Sequence, residues 1–137
     1  MANQIKIEIR QTAISTSEAA IRQHKVAIDR PAAKGGEDQG PMGGELFLAA
    51  IGGCFMSNLL AAIRSREPQD TRVSNVRVAL TAALEGQPSR VSAISMIVGA
   101  TGLESGRLEK LADIAGRGCI VTNTLKLAVP ITVTCEV

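Results

Sequence analysis

Isoleucine stands at every second position near the start of the chain. In "QIKIEIR", residues 4–10, Ile5, Ile7 and Ile9 share one face, and Lys6, Glu8 and Arg10 share the other. Successive side chains of an extended backbone point to opposite sides, so this alternation predicts a half-buried strand. "HKVAID" (24–29) predicts a second strand with Val26 and Ile28 inward. Residues 30–44, "RPAAKGGEDQGPMGG", break the alternation with glycine and proline. They predict a long loop, and long loops inside compact domains are often functional.

The longest apolar run follows, "LFLAAIGGCFMSNLLAAI" (46–63). Its length, its alanine and leucine content and the stop at Pro68 predict a helix over 45–66. That helix is apolar nearly all round, so it is expected to be buried on most sides. A second subunit is one way to cover what a small domain leaves open.

Two further strands are predicted at "TRVSNVRVALTAALE" (71–85) and "RVSAISMIVGA" (90–100), joined as a hairpin by "GQPS" (86–89). "LESGRLEKLADIAG" (103–116) is an amphipathic helix with Leu108, Leu111 and Ile114 on one stripe, ended by Gly116 and Gly118. "CIVTNTL" (119–125) adds a short helical turn. "LKLAVPITVTCEV" (125–137) alternates again, with Pro130 placing that strand at an edge. The order strand-strand-helix-strand-strand-helix-strand predicts an α+β fold with a largely antiparallel sheet. No internal repeat is visible, and residues 1–137 read as a single domain.

Composition narrows the function classes. A net charge of +2 is too small for a nucleic-acid surface, and Phe47 and Phe55 are the only aromatic residues, too few for a base-stacking platform. "MANQIKIEIR" has charges where a signal peptide has its apolar segment. Gly52, Gly53, Ser57 and Asn58 interrupt the 46–63 run, which favours a soluble core helix over a membrane span. Three cysteines without a signal peptide point to a reducing cytoplasm, where a thiol is catalytic or buried rather than part of a structural disulfide.

The cysteines differ. Cys135 lies on the apolar face of the last predicted strand and reads as a small buried hydrophobe. Cys119 follows "GRG" and opens the last helical turn, where amide groups would favour a thiolate; spacing alone leaves a buried loop cysteine equally open. Cys54 follows Gly52 and Gly53, each costly in a helix interior by roughly 1 kcal/mol. Glycine there permits close approach of another backbone or of a substrate, so close packing and thiol chemistry both remain open. No metal pattern is present: there is no C-x-x-C, and the single histidine, His24, has no ligand spacing around it. "GGEDQGPMGG" lacks the lysine of a phosphate-binding loop.

Two segments taken together, "GGELFLAAIGGCFMSNLLAAI" and "GCIVTNTLKLAVPITV", resemble the OsmC/Ohr family of thiol-dependent peroxide reductases. So do the loop "PAAKGGEDQGP" and the 65 residues separating Cys54 from Cys119. The resemblance covers residues 24–134 and is specific in combination. It implies an OsmC-like fold in which antiparallel sheets enclose a central helix in an intertwined homodimer. It implies a mechanism as well: Cys54 attacks the peroxide bond and becomes a sulfenic acid, Cys119 condenses with it to a disulfide, and an external dithiol, dihydrolipoyl in the best-known branch, resets the pair. Organic hydroperoxides are the implied substrates, and no metal or organic cofactor is implied.

Some positions depart from the family pattern. The OsmC and Ohr branches carry a glutamate ten residues before the first cysteine, where this chain has Gly44; Glu45 is one position later. One residue turns a helix by about 100°, so Glu45 is either the family glutamate displaced or a carboxylate favouring the helix N-terminus. The thiolate-stabilising arginine is expected at Arg30, with Arg22 the alternative. Ile120 stands where the family often has proline. Two other readings accompany the peroxidase: a non-enzymatic relative binding a small apolar ligand, and a redox sensor whose Cys54–Cys119 oxidation alters a partner contact.

Overall fold

The computed structural model describes residues 3–69 and 72–127. These residues fall into two compact units that divide after Phe47.

The N-terminal unit is a three-stranded antiparallel sheet, β1 (Glu8–Gln11), β2 (Ser17–Ile21) and β3 (His24–Ile28), in the order β1-β2-β3. The expected first strand is therefore much shorter than residues 4–10, and its isoleucines are exposed. The reason lies in the partner: Glu8 pairs with Ala20, and β2 turns away after Ile21, so Ile5 and Ile7 meet no strand within the sheet. β2 itself has no counterpart among the sequence expectations. "SEAAI" carries glutamate and alanine, which have weak β propensity, and only its pairing on both sides makes it a strand. The β2–β3 turn places the exposed Arg22 at φ 54°, in the left-handed region.

A buried carboxylate ties down the loop that follows. Asp29 accepts hydrogen bonds from the Thr16 hydroxyl (2.8 Å) and from the amides of Arg30 (2.7 Å), Gln39 (3.1 Å) and Glu37 (3.3 Å). Its own amide donates to the Pro41 carbonyl. One side chain thus organises residues 30–41, which include a short 3₁₀ turn at Ala32–Lys34. Burial pushes the Asp29 carboxyl up, but the hydrogen bonds from Arg30, Gln39, Thr16 and Ser15 outweigh it and hold it at about 2. A depressed carboxyl contributes stability that is complete above its unfolded value and disappears as pH falls through its folded value. Wild-type protein should therefore lose stability between about pH 4 and pH 2 through this group. Asp29→Asn should lower Tm at neutral pH by several degrees and flatten that acid limb, read by thermal melts from pH 2 to 7.

Helix α1 (Gly43–Arg66) starts two residues before the expected 45 and ends where predicted, ahead of Pro68. Its first residues belong to the N-terminal unit and the remainder to the second. By length and composition α1 is apolar enough to cross a membrane, but Ile51, Gly52, Phe55, Leu59 and Ala62 are buried in protein. The expectation of burial on most sides is not met within one chain: these five residues form a single stripe, and neighbours such as Leu60 stay exposed.

In the second unit β4 (Ser74–Glu85) and β5 (Arg90–Thr101) form the expected antiparallel hairpin. Val76, Val78, Met96 and Val98 turn one face of it onto the core. α2 (Ser105–Arg117) adds Leu111 and Ala115, which close a buried cluster with Phe55, Leu59 and Ala62. Gly52 faces β4: a Cβ there would stand 2.6 Å from Leu80 Cδ1. A larger residue there would have to push the end of the Leu80 side chain aside. α3 (Ile120–Leu125) is the expected short helical turn and takes Leu125 from the predicted final strand. The remainder of that strand, with Pro130 and Cys135, lies outside the described residues.

Candidate active site

Cys54 and Cys119 are brought together inside the second unit. Cys54 sits on α1 between buried Ile51 and Phe55 and is itself half-buried; Cys119 is 0% exposed. One hydrogen bond ties the segment carrying Cys119 to α1, and three local ones shape that segment. Asn58, one turn beyond Cys54, donates through Nδ2 to the Ala115 carbonyl at 3.4 Å, occupying one of the free carbonyls at the C-terminus of α2. The Cys119 amide donates back to Gly116. Asn123 donates through its amide to the Cys119 carbonyl (2.9 Å) and through Nδ2 to the Arg117 carbonyl (3.2 Å).

Cys119 is the N-cap of α3, and its sulfur accepts the Thr122 amide at 3.5 Å. Serine, threonine or aspartate usually fills such a position. Burial pushes the Cys119 thiol up, yet hydrogen bonds from the Thr122 hydroxyl and amide, the Cys54 thiol and the Val121 amide outweigh it, and the net direction is down. Cys54 thus stands close enough to Cys119 to influence its ionisation. Both cysteines are free thiols. Together they make a pair of thiols in which one is half-open and the other enclosed.

An apolar cavity of about 230 Å³ lies in the same unit, lined by Ile51, Ile94, Met96, Thr122 and Leu125, with Lys126 as its one charged wall residue. Thr122 belongs both to this wall and to the hydrogen bonding of Cys119. Thr122 is not among the residues that the sequence alone singles out. Its signal is a cysteine with threonine three residues on, the spacing of an N-cap to the N3 amide.

The other two expected site residues belong to the N-terminal unit. Glu45 accepts the Met42 amide at 2.9 Å at the start of α1. Arg30 is exposed and lines a polar cavity of about 510 Å³ with Lys34, Ser15, Ser17 and Asp29. Its guanidinium has no ion-pair partner among the described residues.

Comparisons with known proteins follow this geometry. Solved structures matching the fold include a protein from Aquifex aeolicus (16% identity, 91% of this chain and 89% of that one, TM-score 0.76). An OsmC-like protein from Mycoplasma pneumoniae matches at 14% identity, over 92% and 89% of the two chains, with TM-score 0.71. An organic hydroperoxide resistance protein from Legionella pneumophila matches at 18% identity, over 91% and 92%, with TM-score 0.66. At these identities the likeness establishes the fold. No match is found among curated protein sequences. The family model described as OsmC-like protein matches residues 36–134, a span that includes both Cys54 and Cys119 and most of the sequence, and the chain belongs to the OsmC-like family.

Proposed function

We propose that this protein is a thiol peroxidase that reduces organic hydroperoxides with Cys54 and Cys119. The observation that supports the reading is the half-buried Cys54 thiol beside the enclosed Cys119, whose surroundings favour the anion. Cys54 gives up its proton, and the resulting thiolate attacks the outer peroxide oxygen. The O–O bond breaks, the alkoxide takes a proton and leaves as an alcohol, and Cys54 becomes a sulfenic acid. Cys119 then attacks that sulfur, forming the disulfide and releasing the oxygen as water. A dithiol, for which dihydrolipoyl is the leading candidate, reduces the disulfide and is itself oxidised.

The cavity of Ile51, Ile94, Met96 and Leu125 supports an alkyl hydroperoxide over hydrogen peroxide, because an apolar wall adds no affinity for a small polar molecule. Arg30 is our candidate for the cation that pairs with the Cys54 thiolate, in keeping with its lack of an ion-pair partner among the described residues. Glu45 we read as the helix cap. Free Cys54 and Cys119 suit a reducing, cytoplasmic setting.

Repeated turnover is the test. Cumene hydroperoxide with excess dithiol should be consumed in many equivalents per protein. One equivalent and no more would assign a redox sensor, and no oxidation at all would favour the ligand-binding relative.

The working form is a homodimer in this reading. Leu60 is 42% exposed on α1, and Leu84 and Ile97 on the hairpin are exposed by 66% and 73%. Large exposed apolar side chains on both α1 and the hairpin suit a partner subunit, and a two-fold contact is the commonest way to cover them. Tm should rise with protein concentration, and Leu60→Lys should abolish both dimer and turnover. A folded, fully active monomer in sedimentation at micromolar concentration would overturn this.

A further inference from the structure

We propose that Met96 is a modification site: an organic hydroperoxide seated in the apolar cavity oxidises its thioether to the sulfoxide, and the polar product loosens the core beside Cys54. The inference rests on the reading of that cavity as the place where the hydroperoxide binds.

Met96 belongs to two environments at once. It lines the cavity together with Ile51, Ile94, Thr122 and Leu125. It also packs against the buried cluster that contains Phe55 and Leu59. Across the hairpin it is paired with Leu80, the residue that lies against Gly52 on α1. Among the side chains of the cavity wall, Met96 alone carries sulfur. Hydrocarbon walls are inert to peroxide, whereas a thioether is soft, polarisable and readily takes up oxygen.

Exposure does not single Met96 out. Of the four methionines in the chain, Met42, Met56 and Met96 lie in the described residues, and all three are half-buried. Met42 lines the polar cavity with Arg30 and Lys34, and Met56 lies on α1. What sets Met96 apart is the apolar wall around it, which gathers an alkyl hydroperoxide where it would not gather hydrogen peroxide.

In the reaction, a sulfur lone pair of Met96 attacks the outer peroxide oxygen. A sulfur–oxygen bond forms, the O–O bond breaks, and the alkoxide takes a proton from water and leaves as an alcohol. The thioether loses two electrons and the peroxide gains them. The product is polar and chiral, and a methionine sulfoxide reductase reverses it. The cluster that Met96 presses on is made of Phe55, Leu59, Ala62, Leu111 and Ala115, whose side chains offer no hydrogen bond to the new oxygen. Phe55 is the residue after Cys54, so the disturbance reaches the thiol through its immediate neighbour.

The experiment uses the Cys54→Ser protein, so that no peroxidase activity is required. Cumene hydroperoxide is added, and sulfoxide at Met42, Met56 and Met96 is followed by peptide mass. Met96 should be oxidised about tenfold faster than the other two, because the cavity holds the peroxide against its sulfur. With hydrogen peroxide the three should agree within about threefold. The cumene-treated protein should melt several degrees lower than the untreated one, and the Met96→Leu version should keep its melt. Equal rates at the three methionines, or a Met96 preference just as large with hydrogen peroxide, would overturn the assignment. So would an equal drop in melt with leucine at the position. The oxidation pattern is read with Met96 in place and needs no substitution there. If Met96 is selectively oxidised but the parent consumes no peroxide catalytically, the thiol peroxidase reading fails and Met96 stands as the modified wall of a hydroperoxide-binding cavity. If the parent turns over while Met96 shows no preference, this inference alone falls.

Discussion

Cys54→Ser should leave peroxide consumption at the uncatalysed background, with the fold intact. Losing a nucleophile outright costs on the order of a millionfold, and a serine hydroxyl, far less acidic than a thiol, does not attack an O–O bond. The companion variant is the more informative one. With Cys119→Ser, Cys54 should still react once and stall as a sulfenic acid, which dimedone should label at Cys54 alone. Turnover with dithiol should then fall sharply, because the disulfide that the dithiol reduces no longer forms. Label confined to Cys119 in the matching Cys54→Ser protein, with none on Cys54 in the other, would reverse the order of the two thiols. That outcome is a real alternative on chemical grounds, since Cys119 is the sulfur whose surroundings favour the anion. Access argues against it: Cys119 is enclosed, while Cys54 is half-open.

Leu59→Ala should cost about 2–5 kcal/mol of stability, the range for emptying a fully packed leucine site. Leu59 is 0% exposed at the centre of the cluster with Phe55, Ala62, Leu111 and Ala115. A domain has only about 5–15 kcal/mol in total, so Tm should drop by roughly ten degrees. Leu59→Met, which keeps the volume, should recover most of the loss. Because Leu59 stands one turn beyond Cys54–Phe55 on the same helix, the alanine variant should also loosen the thiol pair. Faster exchange of the Asn58 side-chain contact to Ala115 would accompany that loosening in amide NMR. A melt unchanged within two degrees would mean the cluster is not the core we describe.

Much of this fold was legible because local physics and tertiary packing agree. The 71–85 and 90–100 strands alternate along their length and are joined by a four-residue turn, so the hairpin is specified locally. Leu108, Leu111 and Ile114 mark the buried stripe of α2 by their spacing, and Leu111 is indeed enclosed. The long helix announces itself by length, composition and Pro68. Where local preference was weak, reading failed. β2 is a strand only because β1 and β3 pair with it. Ile5, Ile7 and Ile9 alternate perfectly and remain exposed in the chain, because alternation reports a face without naming what covers it.

The sequence by itself determined the α+β class, the hairpin, both long helices and the membership of Cys54 and Cys119 in one family pattern. Periodicity and composition act over a turn or a strand pair, and such information is complete within a short window. Only the tertiary structure decided what each singled-out residue touches. Gly52 lies against Leu80, which settles a close packing contact for one of the two glycines before Cys54. Glu45 accepts the Met42 amide at the start of α1. Cys119, 65 residues from Cys54 along the chain, stands beside it and accepts the Thr122 amide. Sulfur acidity depends on burial and on a few donors at hydrogen-bond distance, and those are supplied by α1, α2 and α3 meeting in space, a juxtaposition that no single stretch of sequence encodes.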